Sequence, residues 1–220
     1  MPTTEVKTIV QCDFDSTIAE DDVSFSLLDA FAEGNWRPLL KEYRERKIPV
    51  GVFNAKTFAM VKADKQTLLD FILVKNRVKI RAGFNELLTY CSKRGFKFVI
   101  VSNGLGFYIE AILKDIGVKN IEVFASQIQF NPAGLKVRYI GPDGSELWVG
   151  FKEAYTRFFL SQGYRVVYVG DGASDCSPAS LAHHIFARDD LLACCKKNNL
   201  DCTPFDDLND VVRGLELLAL

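Results

Sequence analysis

The chain has 220 residues, 48% of them hydrophobic and 25% charged, close to an average soluble globular protein. At roughly 150 residues per domain, that length predicts one sizeable core plus a smaller appendage. Lys+Arg 27 against Asp+Glu 28 leaves a formal net charge of -1, which excludes the basic footprint of a nucleic-acid binder, an acidic tail and a disordered composition.

In chain order, residues 6–12 form an apolar run rich in β-branched side chains and predict a buried strand. Asp13-Phe14-Asp15-Ser16-Thr17 follows it directly. From Asp22 to Lys75 the spacing is helical. Phe25, Leu28 and Phe31 share one face that stops at Gly34, and Pro38 opens a second helix through Tyr43. Asn54 and Asp64 are expected to cap two further helices carrying Phe58, Val61, Leu68, Phe71 and Ile72. Beyond Gly83 the pattern predicts a helix over 84–94, a strand over 96–101 and a helix over 107–115. A strand over 121–125 comes next. Two turn signals, Asn131-Pro132-Ala133-Gly134 and Gly141-Pro142-Asp143-Gly144, predict a β-hairpin flap over about 127–149. A helix over 152–161, strands over 165–169, 184–187 and 201–203, and intervening helices complete the chain. Strand alternating with helix predicts an α/β fold, a doubly wound parallel sheet built from 1–17 and 82–220. The helical stretch 18–81 is expected as a small cap inserted after the first strand. Such sheets bind ligands beyond the carboxyl ends of their strands, where the strand order switches.

The six cysteines, Cys12, Cys91, Cys176, Cys194, Cys195 and Cys202, show no CxxC pair and no zinc-ligand spacing. They are expected as reduced thiols, mostly buried, in a cytoplasmic protein, and nothing near the adjacent Cys194-Cys195 supports a redox role. The first residues lack the basic stretch and apolar run of a signal peptide. No window approaches the ~18 uninterrupted apolar residues of a membrane span. Neither a membrane nor a nucleic-acid partner is expected.

The polar motifs sit at strand ends. Asp13 and Asp15, two residues apart after a buried strand, project to one side, and two anions so close raise one another's pKa unless a cation intervenes. Mg²⁺, which takes oxygen ligands, would resolve the conflict. The pair suits nucleophilic catalysis, one carboxylate attacking while the other handles the proton. The alternative is a calcium loop, against which Ile18 occupies the position where such a loop needs glycine. Ser102-Asn103-Gly104 can hold a phosphate oxygen or simply end a strand. Lys152, at a helix start, is a solvated side chain or a point charge for a transferring phosphoryl group. In Gly170-Asp171-Gly172-Ala173-Ser174-Asp175, one acid can bind a metal while the other orients it from behind, unless the string is an ordinary turn.

Asp13-x-Asp15-x-Thr17, Ser102, Lys152 and Gly170-Asp171-Gly172-x-Ser174-Asp175 together resemble the four motifs of the haloacid dehalogenase superfamily. The helical stretch after the first motif resembles the cap of its phosphoserine-phosphatase-like group. The resemblance implies a phosphatase with Asp13 as nucleophile and Asp15 as general acid/base. It implies that Thr17, Ser102, Asn103, Gly104 and Lys152 hold the phosphoryl group. Mg²⁺ would be held by Asp13, the carbonyl of Asp15 and Asp171, with Asp175 supporting. The substrate would be a small phosphorylated metabolite. Residues 80–84, 186–192 and 203–205 resemble the methionine-salvage phosphatases of that group, which act on 2-hydroxy-3-keto-5-methylthiopentenyl-1-phosphate. Phosphoserine is the alternative substrate. At the early cap position where phosphoserine phosphatases carry a glutamate this chain has Asp22, and 53–61 contains no arginine. Lys56 and Lys62 do not reproduce a bidentate arginine clamp. A phospho-accepting, receiver-like signalling domain is the alternative of another class. It would have no use for a helical cap or for an acid/base two residues beyond the acceptor.

Overall fold

The computed structural model of the protein describes residues 7–75 and 78–218, so Val6, the first residue of the predicted strand, lies outside them. Strand β1 (Thr8–Cys12) is buried at every residue. A central parallel strand is covered on both faces by helices, which is why its sequence is a continuous apolar run and not an alternation. Around it lie β2 (Lys97–Leu105), β3 (Glu122–Gln129), β4 (Lys136–Arg138), β5 (Arg165–Gly170), β6 (His184–Ala187) and β7 (Thr203–Pro204). The order across the sheet is β4-β3-β2-β1-β5-β6-β7, parallel throughout except for β4 on one edge. The chain thus winds outward from β1 in one direction, then returns to its other side. The switch in strand order falls between β1 and β5, where a ligand crevice is expected. Cys12 pairs with Ile100 and with Val169, so Asp13, Ser102 and Asp171 emerge at the same edge of the sheet.

Four helices follow β1: α1 (Val23–Phe31), α2 (Arg37–Arg44), α3 (Val50–Phe58) and α4 (Lys65–Asp70), the last running into a π-helical turn, Phe71–Lys75. Asp22 caps α1 by accepting from the Phe25 amide, Asp64 caps α4 through the Thr67 amide, and Pro38 sits in the first turn of α2. Asn54 does not cap α3 as expected. Pro49 precedes that helix, and the Asn54 amide donates to the Asn103 carbonyl at 2.9 Å and to the Tyr139 hydroxyl at 2.6 Å. Buried tertiary partners outweigh the local preference of asparagine for a helix start. A bridge between Ala19 and Ile80, with the Arg81 amide donating to the Ile18 carbonyl at 2.8 Å, ties the two ends of this excursion together. One contiguous apolar cluster runs from Ile9 and Val10 in the sheet to Leu27, Phe58 and Leu68 in α1, α3 and α4.

Helices α5 (Phe84–Arg94), α6 (Gly106–Asp115), α7 (Phe151–Ser161), α8 (Cys176–Ala179), α9 (Asp189–Asn198) and α10 (Leu208–Leu217) complete the chain. The flap forms as the β3–β4 hairpin, followed by a second turn at 141–144 that is closed by the Gly144 amide on the Gly141 carbonyl. The strand expected to end before Ser102 instead continues through Ser102-Asn103-Gly104, with a register shift against β3. Among the described residues no helix is long and apolar enough to cross a membrane. Cys12, Cys91 and Cys195 are buried free thiols and Cys202 is a half-buried one. The expectation of six reduced thiols fails for one pair: Cys176 and Cys194 form a disulfide with their Cα atoms 6.1 Å apart. A separation of 18 residues has no local signature, and the fold makes the pair by setting the start of α8 against α9.

Gly83, which precedes α5, has φ +88°, and a Cβ there would lie 2.2 Å from the backbone nitrogen of Asn209. Gly83→Ala combines left-handed strain with a backbone clash and is expected to cost about 2 kcal/mol or more. Gly95→Ala, at φ +68° with open space around it, carries only the strain and should cost about 1 kcal/mol. Urea midpoints of the two variants measure the difference.

Candidate active site

The carboxyl edge of β1 opens into a cavity of about 1240 Å³. Asp13, Asp15, Ser102, Asn103, Gly104, Lys152 and Asp171 line it from the sheet side, and Asp22, Phe25, Tyr43 and Phe53 line it from the helical side. Of the residues singled out from the sequence, all but Thr17 and Asp175 line this cavity.

Lys152 is placed by α7, whose first turn is locked onto β1. Gln11 Nε2 donates to the Lys152 carbonyl at 3.2 Å, and the Thr156 hydroxyl donates to Gln11 Oε1 at 2.9 Å. The Lys152 side chain is only 2% exposed and its Nζ lies 2.5 Å from Asp13 Oδ2 and 2.6 Å from Asp175 Oδ1. It is therefore no solvated surface lysine. The two carboxylates raise its pKa further above the usual lysine value, outweighing burial, so it carries its charge at any physiological pH.

Asp175 is fully buried and both its oxygens are engaged. Oδ1 accepts from Lys152 and from the Tyr168 hydroxyl at 2.6 Å, and Oδ2 accepts from the Gly172 amide at 2.9 Å and the Asp171 amide at 3.2 Å. It therefore organises the Gly170–Asp175 turn and Lys152 from behind. Thr17 is fully buried, and its hydroxyl donates to Asp171 Oδ1 at 2.6 Å. The turn after β1 points this hydroxyl at the neighbouring β5 loop, and Thr17 is not among the residues that line the cavity.

Carboxylate oxygens of Asp13, Asp171 and Asp175 lie within 4.8 Å of one another. Two buried acids, Asp13 and Asp175, and the half-buried Asp171 face one ammonium, and the imbalance shows in their protonation. Burial, then repulsion from Asp13 and Asp175, pushes Asp171 up to about 8. Burial pushes Asp13 up to about 6 against the pull of Lys152. An oxygen-only donor set with surplus negative charge fits a hard divalent cation.

Asp15 reaches the other way, to the amino end of α1. Its Oδ1 accepts from the Val23 amide at 3.0 Å and its Oδ2 from the Tyr108 hydroxyl. Burial and the neighbouring Asp22 raise its pKa well above the usual carboxylate range. Asp22, pushed up to about 6 by burial, sits beside it. Ser102 Oγ accepts from the Gly104 amide at 3.0 Å, which leaves the hydroxyl proton to donate into the cavity. The Asn103 carbonyl accepts from Asn54 and Tyr139, while its side-chain Oδ1 is buried without a hydrogen-bond partner among the described residues. Gly104 is required by close approach, since a Cβ would lie 2.2 Å from the Tyr108 hydroxyl and 2.3 Å from Asp15 Oδ2.

Residues 10–179 match the family model of haloacid dehalogenase-like hydrolases. The chain belongs to that family. The 2-hydroxy-3-keto-5-methylthiopentenyl-1-phosphate phosphatase of Exiguobacterium sibiricum is 27% identical over 214 residues, covering 94% of this chain and 95% of its own. A solved phospho-aspartyl intermediate analogue of phosphoserine phosphatase superposes with a TM-score of 0.68 at 20% identity, covering 96% of this chain and 99% of its own. A HAD family hydrolase from Salmonella enterica serovar Typhi reaches a TM-score of 0.73 at 15% identity, over 98% of this chain and 73% of its own. These two structural likenesses establish the fold. Membership of the hydrolase family sets aside the receiver-like reading.

Several residues of this hydrolase's site carried no readable signal in the sequence. Tyr108 is one of ten residues in an ordinary amphipathic helix, and Tyr168 passes for a core aromatic in β5. Gln11 was visible as the single amide in the apolar β1 run. Tyr108→Phe removes one donor from Asp15 and leaves the packing of the ring. It is expected to lower turnover about 10-fold and stability by about 1 kcal/mol. Steady-state rates and a urea midpoint read both.

Proposed function

We propose that this hydrolase is a Mg²⁺-dependent phosphomonoesterase that works through a phosphoryl-aspartate at Asp13. The observation that carries the reading is Asp13 itself. It is a buried carboxylate at the carboxyl end of the central strand, bound to Lys152, clustered with Asp171 and opening into the cavity. Asp13 attacks phosphorus as the ester bond breaks, and the leaving alkoxide takes a proton from Asp15. Its burial, with Asp22 beside it, raises the Asp15 pKa well above the usual carboxylate range, the direction that a general acid needs. In the second half Asp15 takes a proton from water as the water attacks the acyl phosphate and releases inorganic phosphate. Lys152 and the Ser102 hydroxyl hold phosphoryl oxygens, and Thr17 acts at one remove by fixing Asp171. Asp13, Asp171 and the Asp15 carbonyl, with Asp175 supporting, would hold Mg²⁺, which would supply positive charge to offset the repulsion between the carboxylate and the anionic ester. Helices α1–α4 serve as a cap, with Ala19 and Ile80 marking its base.

For the substrate, the names of the relatives favour 2-hydroxy-3-keto-5-methylthiopentenyl-1-phosphate. The cap wall of Phe25, Leu40 and Phe53 suits a neutral, apolar half opposite the phosphate. Phosphoserine stays in the comparison for one specific reason. Helix α3 has no arginine, as the sequence indicates, but Arg44, the last residue of α2, and Arg46 just beyond it do line the cavity. Phosphate release across a panel of phosphomonoesters, with Mg²⁺ and with chelator, tests the reading. The pentenyl phosphate is expected to exceed phosphoserine at least about 10-fold in kcat/KM, a difference of one apolar contact. Activity that survived chelation would remove the metal from the reaction, and a clear preference for phosphoserine would replace the substrate.

A further inference from the structure

The disulfide between Cys176 and Cys194 touches the same cavity through Cys176, and nothing in the phosphatase chemistry uses it. Cys176 is the residue after Asp175 and the first of α8. Its partner is on α9. That helix already holds the other end of the Asp171–Asp175 turn, because the Leu191 amide donates to the Asp171 carbonyl at 2.7 Å. Leu191 and Cys194 are three residues apart and so share a face of α9. One helix therefore grips the acidic turn at both ends, by a hydrogen bond at Asp171 and by a covalent bond just past Asp175. Asn198, one turn further along α9, donates to the Cys194 carbonyl at 2.9 Å and lies 3.1 Å from Cys194 Sγ, which keeps that sulfur in place. Both cysteines are only half-buried, and Cys176 lines the cavity, so a small thiol can reach the bond. The Cα separation of 6.1 Å suits a disulfide without movement of the backbone.

We infer that Cys176 and Cys194 are a redox-modified pair that staples the acidic turn to α9 and thereby sets how tightly the turn holds a divalent cation. The metal role rests on the phosphatase reading above, whereas the thiol chemistry does not. In the reduction, a thiolate of a small dithiol attacks one sulfur, the S–S bond breaks and a mixed disulfide forms. The second thiol of the reductant then displaces the protein sulfur. Two thiols are left on the protein and a cyclic disulfide on the reductant, with two electrons and two protons transferred. Oxidised glutathione reverses the change by the same exchange, giving up its own disulfide.

Alkylation under denaturing conditions followed by mass spectrometry counts the free thiols, and calorimetric titration with Mg²⁺ measures binding without any substrate. After treatment with oxidised glutathione, Cys12, Cys91, Cys195 and Cys202 should alkylate and the other two should not. After dithiothreitol all six should react. The Mg²⁺ Kd should be about 5-fold weaker in the reduced protein, the lower end of a typical coupling between sites. Cys194→Ser should behave as the reduced protein in either buffer, and Cys202→Ser should keep the full response. Six reactive thiols after oxidation would overturn the pair. A closed pair with equal Mg²⁺ affinity in both redox states would overturn the staple. Neither readout depends on the protein hydrolysing any ester, so a failed phosphatase assay leaves both intact.

Discussion

Asp13→Asn is expected to lower turnover about 10⁴-fold or more, as removing a nucleophile does elsewhere, while moving the melting temperature by only a few degrees. The loss follows from chemistry, because an amide oxygen cannot displace an alkoxide from phosphorus. The small stability change is a balance of two effects. Asp13 Oδ1 accepts from the Phe14 amide at 2.7 Å and Oδ2 meets Lys152 at 2.5 Å. Asparagine has one acceptor oxygen, so one of these two is lost, at about 1.5–3 kcal/mol for a bond to a charged group. Against that, the substitution removes one of the charges that push Asp171 up to about 8. Relief of the repulsion offsets most of the lost bond, and Lys152 keeps Asp175 as a partner. Rates of phosphate release and thermal unfolding without metal measure the two halves. A variant that kept substantial turnover would require another nucleophile. One that unfolded at room temperature would mean the repulsion in the acidic cluster is weaker than the geometry implies.

The residues at issue in that experiment were legible in the sequence for a physical reason. The apolar run of a parallel strand buried on both faces breaks off where polar side chains begin, so the runs of β1, β2 and β5 announce Asp13, Ser102 and Asp171 by contrast, even though β2 itself continues to Leu105. Gly95 and Asp64 mark helix ends by local chemistry and were equally readable, whereas the helix expected to stop at Gly34 already ends at Phe31. Asn54 shows the limit of that approach. Its composition suits a cap, but its amide is satisfied by Asn103 and Tyr139, 49 and 85 residues away. The partner of the Thr17 hydroxyl was no more readable, since Asp171 lies 154 residues further along the chain. Cys176 and Cys194 lie close in sequence, yet only the docking of α8 on α9 aligns them. Arg81 belongs with these. Its guanidinium donates to the carbonyls of Thr17 and Ser16 at 2.8 Å, bracing the turn after Asp13, and no local pattern distinguishes it from a surface arginine. Residues that present chemistry to a ligand stand at predictable ends of elements. Those that hold them there are chosen by the tertiary fold.

Lys152→Met should do what Asp13→Asn does not, and damage activity and stability together. Turnover is expected to fall about 10³-fold, the upper range for losing one group that stabilises transition-state charge. Removing one partner of a buried pair leaves an uncompensated charge, and the cost is about 3–5 kcal/mol near pH 8. The pH dependence identifies the cause. Asp13 and Asp171 are already pushed to about 6 and about 8 in the folded protein, above the usual value near 3.9 in an unfolded chain. Between those values the folded state binds more protons than the unfolded one, so metal-free stability falls as pH rises from about 4 to about 8. Without Lys152 the Asp13 carboxyl loses the ammonium that pulls it down, its folded value moves further up, and the slope steepens. The deficit of the variant should therefore be largest at pH 8 and shrink toward pH 5, as protons take over the task of the missing ammonium. Mg²⁺ should also restore part of the lost stability at pH 8, because a dication between Asp13 and Asp171 relieves the same repulsion. Urea midpoints at pH 5 and pH 8, with and without Mg²⁺, measure all three. A deficit independent of pH and metal would point to lost packing of the lysine stem, and would remove the electrostatic account of why this cluster is built around one buried cation.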